Sequence, residues 1–154
     1  MMTHRIHAIA GVLAMTLISL FMAATLYSEM FADHESIATV KSLIVAPGLF
    51  ILIPCLMAVG GSGFRLARER GGRWVAVKKK RMPFIAMNGL LVLIPCAIVL
   101  NTWAGQGRFD GAFYALQSVE LLAGAVNLGL MSLNLRDGLK LAGRLRTPVA
   151  APSR

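Results

Sequence analysis

The sequence predicts an all-α fold, a transmembrane four-helix bundle with both termini in the cytoplasm. Hydrophobic residues make up 56% of the 154-residue chain, a larger share than soluble domains usually contain. They gather in four long apolar runs, each close to the roughly 20 residues that a helix needs to cross a bilayer. Basic residues fall between and after these runs, which is the pattern of a multi-pass membrane protein.

Four helices are predicted within a single domain that covers residues 1–146, and residues 147–154 are expected to be a disordered tail. None of the apolar runs alternates polar and apolar residues with a period of two, so membrane strands are not predicted. The predicted helices cover residues 6–27, 37–59, 83–103 and 112–135.

The first run also resembles a secretory signal peptide, because His4 and Arg5 precede it and the small residues Ala23 and Ala24 lie near its end. Its apolar stretch is longer than the roughly 7 to 15 residues of a signal core, and no convincing A-x-A cleavage site follows. An uncleaved first helix is therefore favoured. Cleavage would leave three helices.

Local signals predict where two of the helices begin and end. Pro83 is expected to open the third helix, since a missing N–H is tolerated at a helix start. The glycines at positions 60, 61 and 63 are expected to close the second helix, where glycine allows the chain to turn. Pro47 and Pro54 inside the second helix, and Pro95 inside the third, predict kinks.

A short repeat links the second and third helices. Residues 48–55 read GLFILIPC and residues 89–96 read GLLVLIPC, with six of eight positions identical. The two helices are expected to run in opposite directions, so the copies would be inverted, as in the repeats of transporters. For so short a match, coincidence or a shared need for a kink is favoured over a functional symmetry.

The charges of the connections predict the orientation. Residues 65–81 contain eight basic residues and one acidic residue, and the segment after the fourth helix is also basic. The positive-inside rule places both of these segments, and with them both termini, in the cytoplasm. The other two connections are therefore expected outside. They contain Glu29, Asp33, Glu35 and Asp110, with Arg108 as the only base.

The same clustering of charge predicts the partners. The formal net charge is +9, but it is not spread over a surface as nucleic-acid binding would require. The basic residues are expected near the anionic lipid head groups of a bacterial inner membrane; the connection that includes Trp74 could lie on the inner leaflet, but a solvated loop is favoured. A homo-oligomer or a larger membrane complex is a further expectation, and binding to nucleic acid is not expected.

The fourth helix carries the most informative pattern, a series of polar and small residues at spacings of three, four, three, four and three. Residues with this spacing lie on one face of a helix. Polar groups are expensive in hydrocarbon, so this face is expected to line the interior of the bundle. The series consists of Gln117, Glu120, Gly124, Asn127, Met131 and Asn134.

A polar cluster is expected toward the outer face. Glu120 lies about two helical turns from the outer end of its helix, and Lys41 lies about one turn into the second helix from the same side. The two could pair, with Gln117, Asn101 and His34 nearby. An ion pair that only fixes helix packing is the favoured interpretation, and a proton, ion or substrate site is the alternative.

A weaker cluster is expected in the inner half, where His7 lies near the start of the first helix. Asn88 on the third helix and Asn127 and Asn134 on the fourth are expected at comparable or deeper levels. For His7, an interfacial hydrogen-bonded side chain is favoured over a ligand of haem or of another cofactor.

An early histidine, an apolar run ending in Leu-Tyr, a glycine-terminated second helix and lysines before the third helix resemble the small membrane proteins related to haem-binding protoporphyrinogen oxidase and copper-resistance D-type proteins. The resemblance covers about half of the chain. It implies haem b as a cofactor, His7 as a ligand and one of residues 78–80, all lysines, as a nearby base. The chain departs from the pattern in its long basic connection and in lacking a second transmembrane histidine. Met15, Met87 or Met131 could instead complete a histidine–methionine pair.

Residue content indicates no catalytic or metal site, because the sequence has no metal-ligand spacing of Cys or His, no phosphate-binding loop and no nucleophile elbow. The leading interpretation is a non-enzymatic accessory or assembly subunit with a packed intramembrane polar seam. The alternatives are a haem-binding redox protein that uses His7 and a proton- or solute-coupled carrier that acts as a homo-oligomer.

Overall fold

The computed structural model describes residues 2–69 and 73–141. These residues form four helical rods and contain no strand. Each rod is long and apolar enough to cross a membrane, which confirms the predicted all-α four-helix class. The predicted tail lies outside the described residues. The rods are α1, Met2–Phe31; α2, which joins His34–Leu43, Ile44–Leu49 and Phe50–Glu69; α3, which joins Arg73–Asn88, Gly89–Leu93 and Ile94–Gly105; and α4, Gly111–Leu141.

The second rod does not end at its glycines. It continues through Gly60, Gly61 and Gly63 to Glu69, so the prediction that these residues close it is wrong. A glycine weakens a helix by only about 1 kcal/mol, and tertiary contacts can outweigh that amount. Here α1 packs along this part of α2, and the His7 ring meets the Ser62 hydroxyl at 3.0 Å.

The third rod begins earlier than predicted. Its first segment starts at Arg73 and includes Pro83, so the prediction that this proline opens the helix is wrong. The apolar run marks the part of a rod that suits hydrocarbon, whereas the helix extends beyond that part. All four rods are longer than their apolar runs for this reason.

Prolines accompany two irregular segments. In α2, the backbone of Ala46 leaves the helical region, with φ −138° and ψ 115°, next to Pro47 and within the π-helical segment Ile44–Leu49. In α3, the π-helical segment Gly89–Leu93 directly precedes the segment that contains Pro95. Because proline removes an N–H from the ladder, a local change of this kind is expected.

The third interior proline behaves differently. Pro54 lies within an α-helical segment, and the helix continues through it as an α-helix. The two repeat copies are also not structurally equivalent. Gly48 lies near the end of the π-helical segment of α2, whereas Gly89 begins that of α3.

Contacts near the ends of the rods show that sequence neighbours run antiparallel. The His34 and Phe109 rings stack at 4.1 Å between the start of α2 and the connection that precedes α4. We call this end of the bundle, with residues 32–33 and 106–110, the short-connection end. The opposite end, where α1 begins and α4 finishes, is the basic end; there Arg81 of α3 meets Asp137 of α4.

Two aspartates fix the helix starts at the short-connection end. The Asp33 carboxylate accepts the Ser36 backbone N–H at 2.9 Å, and hydrogen bonding to Ser36 lowers the pKa of Asp33. The Asp110 carboxylate accepts from Arg108 Nε at 2.7 Å and from the Phe113 backbone N–H at 3.0 Å, which lowers the pKa of Asp110. Both carboxylates stay ionised at neutral pH and cap the helices that carry Lys41 and Glu120.

The buried apolar side chains are few, and the outward faces are also apolar. Only 17–22% of the most apolar stretch of each rod is buried within the chain. Phe50 is 75% exposed and Leu122 is 69% exposed. A surface of this kind suits hydrocarbon or a neighbouring protein rather than water. The middle of the bundle is filled by Ala14, Ile18, Ile44, Leu49, Leu52, Ala97 and Met131.

Candidate functional site

The inner face of α4 is polar from one end of the bundle toward the other. Gln117, Asn127 and Asp137 are buried, and Glu120 and Asn134 are partly buried. These five residues, which we call the polar seam, keep the three-and-four spacing that places them on one side of the helix. The spacing predicted this inward face, and the structure adds Asp137 to it.

An ion pair lies at the end of the seam that is nearer the short-connection end. The Lys41 Nζ lies 2.9 Å from the Glu120 Oε2, and the Lys41 side chain is only 1% exposed. Gln117 Nε2 donates to the same carboxylate oxygen at 3.0 Å, and Lys41 Nζ lies 3.5 Å from Thr25 Oγ1. The predicted meeting of Lys41 and Glu120 is therefore present, with Gln117 as a direct partner.

Sequence reasoning missed the contribution of α1 to this cluster. Thr25 and Ser28 are buried on α1, and Ser28 donates its hydroxyl to the Thr25 carbonyl. Glu29 Oε1 is buried without a hydrogen-bond partner among the described residues. In the sequence, Thr25, Ser28 and Glu29 interrupt an otherwise apolar run. This interruption could have indicated that α1 contributes to the cluster.

No described hydrogen bond joins two other predicted members, Asn101 and His34, to the ion pair. Asn101 is half-buried on α3, and no described hydrogen bond joins it to Lys41 or Glu120. His34 stacks on Phe109 in the connection instead of reaching the ion pair. Depth along a helix can be counted from sequence, but the direction in which a rod faces depends on its neighbours.

A cavity of about 60 Å³ adjoins the ion pair. It lies where α2 is interrupted and where α3 resumes α-helical geometry, because Ile44, Leu49 and Leu93 all border it. Its walls are largely apolar. Thr25 and Glu120 are the polar exceptions among the lining residues, so the cavity brings open space to a carboxylate inside the bundle.

The asparagines in and beside the middle of the seam differ in their hydrogen bonding. Asn88 Nδ2 of α3 donates to the Ala123 carbonyl of α4 at 2.8 Å and so ties these rods together. Asn127 is 0% exposed, yet neither its Oδ1 nor its Nδ2 has a hydrogen-bond partner in the described part of the chain. The Asn134 Oδ1 is likewise buried and unpartnered. Asn127 is thus buried, and Asn88 and Asn134 are partly buried; their grouping with His7 in an inner-half cluster stays a prediction.

A second ion pair lies at the end of the seam that is nearer the basic end. Arg81 Nη1 lies 2.8 Å from Asp137 Oδ2, and Arg136 Nε lies 3.7 Å from the other carboxylate oxygen. Asp137 is 0% exposed. This pair lies outside the predicted polar face, because the predicted fourth helix ends at residue 135 and the structure extends it to Leu141. The signal was present, since Asp137 follows Asn134 by three residues.

His7 lies where α1 contacts α2. His7 Nδ1 lies 3.0 Å from Ser62 Oγ, and a Cβ placed on Gly63 would contact both His7 and Met82. Met82 is thus the methionine near His7, and it was not among the candidates. The side chains of residues 78–80, which the resemblance implied, are not described.

The three methionines proposed from sequence lie elsewhere. Met15 is eight residues further along α1 than His7, or about 12 Å deeper. Met131 is buried in the central apolar cluster, and Met87 is mostly exposed. A haem held by His7 and one of these methionines stays a prediction.

Among residues 2–69 and 73–141, no group of three or more His, Cys, Asp or Glu side chains is placed to hold a metal ion. Comparison with protein-family models, with curated proteins and with solved structures finds no match.

Proposed function

We propose that this chain is a non-enzymatic, multi-pass protein of a bacterial inner membrane that acts as an accessory or assembly subunit. The observation that carries the proposal is the distribution of polarity. Interior charges pair with one another, whereas the outward faces are apolar and large parts of them are uncovered. A subunit of this kind would contribute a rigid bundle whose exposed apolar face packs against another membrane protein.

The proposed orientation places both termini and the basic connection in the cytoplasm. Residues 65–81 carry eight basic residues against one acidic residue, and they include the end of α2 and the start of α3. Anionic head groups of the inner leaflet would attract these charges. The acidic connections at the short-connection end would then lie outside.

Native mass spectrometry of polymer-extracted membrane particles tests the accessory role. The 16.5 kDa chain is expected in particles that contain a different polypeptide at a fixed ratio. Leu20, Leu90 and Leu122 each lie on the exposed face of a different rod. Substitution of one of them by tryptophan is expected to release the partner only where the partner packs against that face. The variants on the remaining faces serve as matched controls. Particles whose protein mass is only a multiple of 16.5 kDa would contradict the accessory role.

A carrier that acts as a homo-oligomer is the second candidate. The cavity beside Glu120 supports it, because a carboxylate next to open space could exchange a proton or bind a solute. Four helices leave little room for a complete pathway, so this role requires several copies. The same mass measurement separates the two candidates, since a carrier of this type would appear as a homo-oligomer alone.

A haem-binding redox role through His7 is supported only by the resemblance found in the sequence. Purified protein with a Soret band that His7→Ala removes would establish that role. A colourless preparation from cells that make haem would exclude the haem-binding role.

A further inference from the structure

The polar end of the cavity holds the ammonium group of Lys41. Thr25 and Glu120 are the polar residues of the cavity lining. Lys41 Nζ contacts both of them, at 3.5 Å from Thr25 Oγ1 and at 2.9 Å from Glu120 Oε2. A primary ammonium group has three N–H donors and no acceptor, so the hydroxyl and the carboxylate both serve as its acceptors. This end of the cavity is therefore shaped and charged for a primary ammonium group.

The rest of the cavity sets a limit on size and polarity. Its volume of about 60 Å³ exceeds the roughly 10–15 Å³ that one water needs and is smaller than the roughly 150 Å³ of a cavity that binds benzene. Its walls include Phe21, Leu52 and Ala97, which favour hydrocarbon over water. A ligand that matches both parts of the cavity carries a primary ammonium group on a short alkyl chain.

The carboxylates around Lys41 outnumber it. Glu29 is partly buried on α1, four residues beyond Thr25, on the same side of the helix and nearer the short-connection end. The charges of Lys41 and Glu120 both act on the Glu29 carboxylate. The third rod contributes no charge here, because residues 82–107 contain no charged side chain. Two carboxylates thus share one lysine.

His34 is the other titratable side chain whose charge acts on Glu29. Its ring stacks on Phe109 in the connection, outside the contacts that Lys41 makes. With His34 neutral, the cluster is balanced by one further monovalent cation. An uncompensated charge in such surroundings is costly.

We propose that the cavity binds a small primary alkylammonium ion, of about two or three carbons, in exchange for the Lys41 ammonium group. The ammonium group of the ligand donates to Glu120 and Thr25, and its alkyl chain lies among the apolar walls. The long, flexible Lys41 side chain turns toward the short-connection end and pairs with Glu29. Each carboxylate then has one counter-ion, and no covalent bond changes. The proposal concerns binding alone, so it holds whether the chain is an accessory subunit or a carrier.

Solution NMR of the full chain in lipid nanodiscs, with n-propylammonium chloride as the probe, tests the binding. Gln117 Nε2 donates to Glu120 at 3.0 Å, so the Gln117 side-chain amide signal is expected to shift saturably as Glu120 changes its partner. n-Propanol has the same chain but no charge, and it should need at least about tenfold more for half-saturation, because hydrogen bonds to charged groups are the stronger ones. A wild-type chain without a saturable shift, or with equal affinities for the two probes, would overturn the proposal.

A variant that fills the cavity places the binding there. Ala97 is buried and lines the cavity, so Ala97→Leu is expected to weaken propylammonium binding about tenfold or more. Ala125→Leu, at an exposed position of α4, is the matched control and should bind as the wild type does. If Ala97→Leu does not fold, Thr25→Val removes one acceptor and should weaken binding about fivefold. Wild-type affinity in the folded variant would contradict the assigned site.

Glu29→Gln tests the exchange itself. It leaves the Lys41–Glu120 pair in place but removes the second counter-ion, so the displaced Lys41 charge would stay uncompensated. Propylammonium binding is therefore expected to fall about tenfold or more. Glu35→Gln, which alters an exposed carboxylate near the same end, should leave the affinity unchanged. Equal affinities in the Glu29 and Glu35 variants would overturn the proposed exchange.

Discussion

Lys41 shows how strongly a buried charge depends on its counter-ion. Its ammonium group lies 2.9 Å from the Glu120 carboxylate and is almost completely removed from solvent. The net stabilisation by such a pair is small, because desolvation offsets much of the attraction between the charges. Loss of one partner is nevertheless severe, since the other charge is left buried and uncompensated. Single and paired substitutions should therefore behave very differently.

We expect Glu120→Gln to lower the free energy of unfolding by roughly 3–5 kcal/mol, because it leaves the Lys41 charge without a counter-ion. The double variant Lys41→Met with Glu120→Gln should recover most of this loss. Unfolding by SDS in mixed micelles, followed by circular dichroism, measures both effects. Glu35→Gln, which alters an exposed carboxylate near the same end, is the control. A double variant no more stable than Glu120→Gln would show that the pairing is not the cause.

The Asp137 carboxylate offers a comparison between two arginines. Arg81 donates to it at 2.8 Å and is 24% exposed, whereas Arg136 lies 3.7 Å away and is 53% exposed. We expect Arg81→Gln to destabilise the fold by roughly 1.5–3 kcal/mol, the range for hydrogen bonds to charged groups. Arg136→Gln should cost less than about 0.5 kcal/mol, as surface substitutions usually do. The same SDS titration decides between them, and equal effects would contradict the assigned pairing.

At the scale of the helices, the irregular segments of α2 and α3 shape the interior. Side chains from the π-helical segment of α2, and from the end of that in α3, border the cavity. The interruption of α2 also permits a close approach, because a Cβ on Gly48 would lie 2.7 Å from Phe21 Cζ and 2.9 Å from the Leu43 carbonyl oxygen. The break thus requires glycine where the two rods meet.

Gly48→Ala should therefore destabilise the bundle, by about 1–3 kcal/mol, as expected for overpacking in a well-packed core. Gly60→Ala is a matched control within the same rod, since a Cβ there meets nothing within 4 Å. That control should stabilise the helix by about 0.5–1 kcal/mol. Thermal unfolding of the two variants in detergent gives the comparison, and a stabilising Gly48→Ala would contradict the close contact.

The sequence predicted the helices better than their ends. Apolar runs identify rods because burial in hydrocarbon requires about 20 apolar residues in succession, and the spacing on α4 identifies its inner face. The ends were misplaced at Pro83 and at the glycines near position 60, where tertiary packing outweighed local preference. Likewise, no local pattern could show that Arg81 pairs with Asp137, because that contact depends on how α3 and α4 align.

In the whole molecule, an ion pair lies near each end of the polar seam. The apolar cluster that includes Met131 lies between the two pairs. Large apolar side chains are exposed on all four rods, and the four rods are long and apolar enough to cross a membrane. The proposed orientation of this unit in the membrane depends on the charge of residues 65–81.

The most direct test of this arrangement is the labelling of single cysteines in spheroplasts by a membrane-impermeant maleimide, in a chain whose Cys55 and Cys96 are replaced by alanine. Gln106→Cys reports on the short-connection end, and Gly71→Cys reports on the basic connection. With four spans and both termini inside, Gln106→Cys is labelled in intact spheroplasts and Gly71→Cys only after the membrane is opened. Labelling of Gly71→Cys in intact spheroplasts, with Gln106→Cys protected, would contradict the orientation, and labelling of both would contradict the membrane-spanning bundle itself.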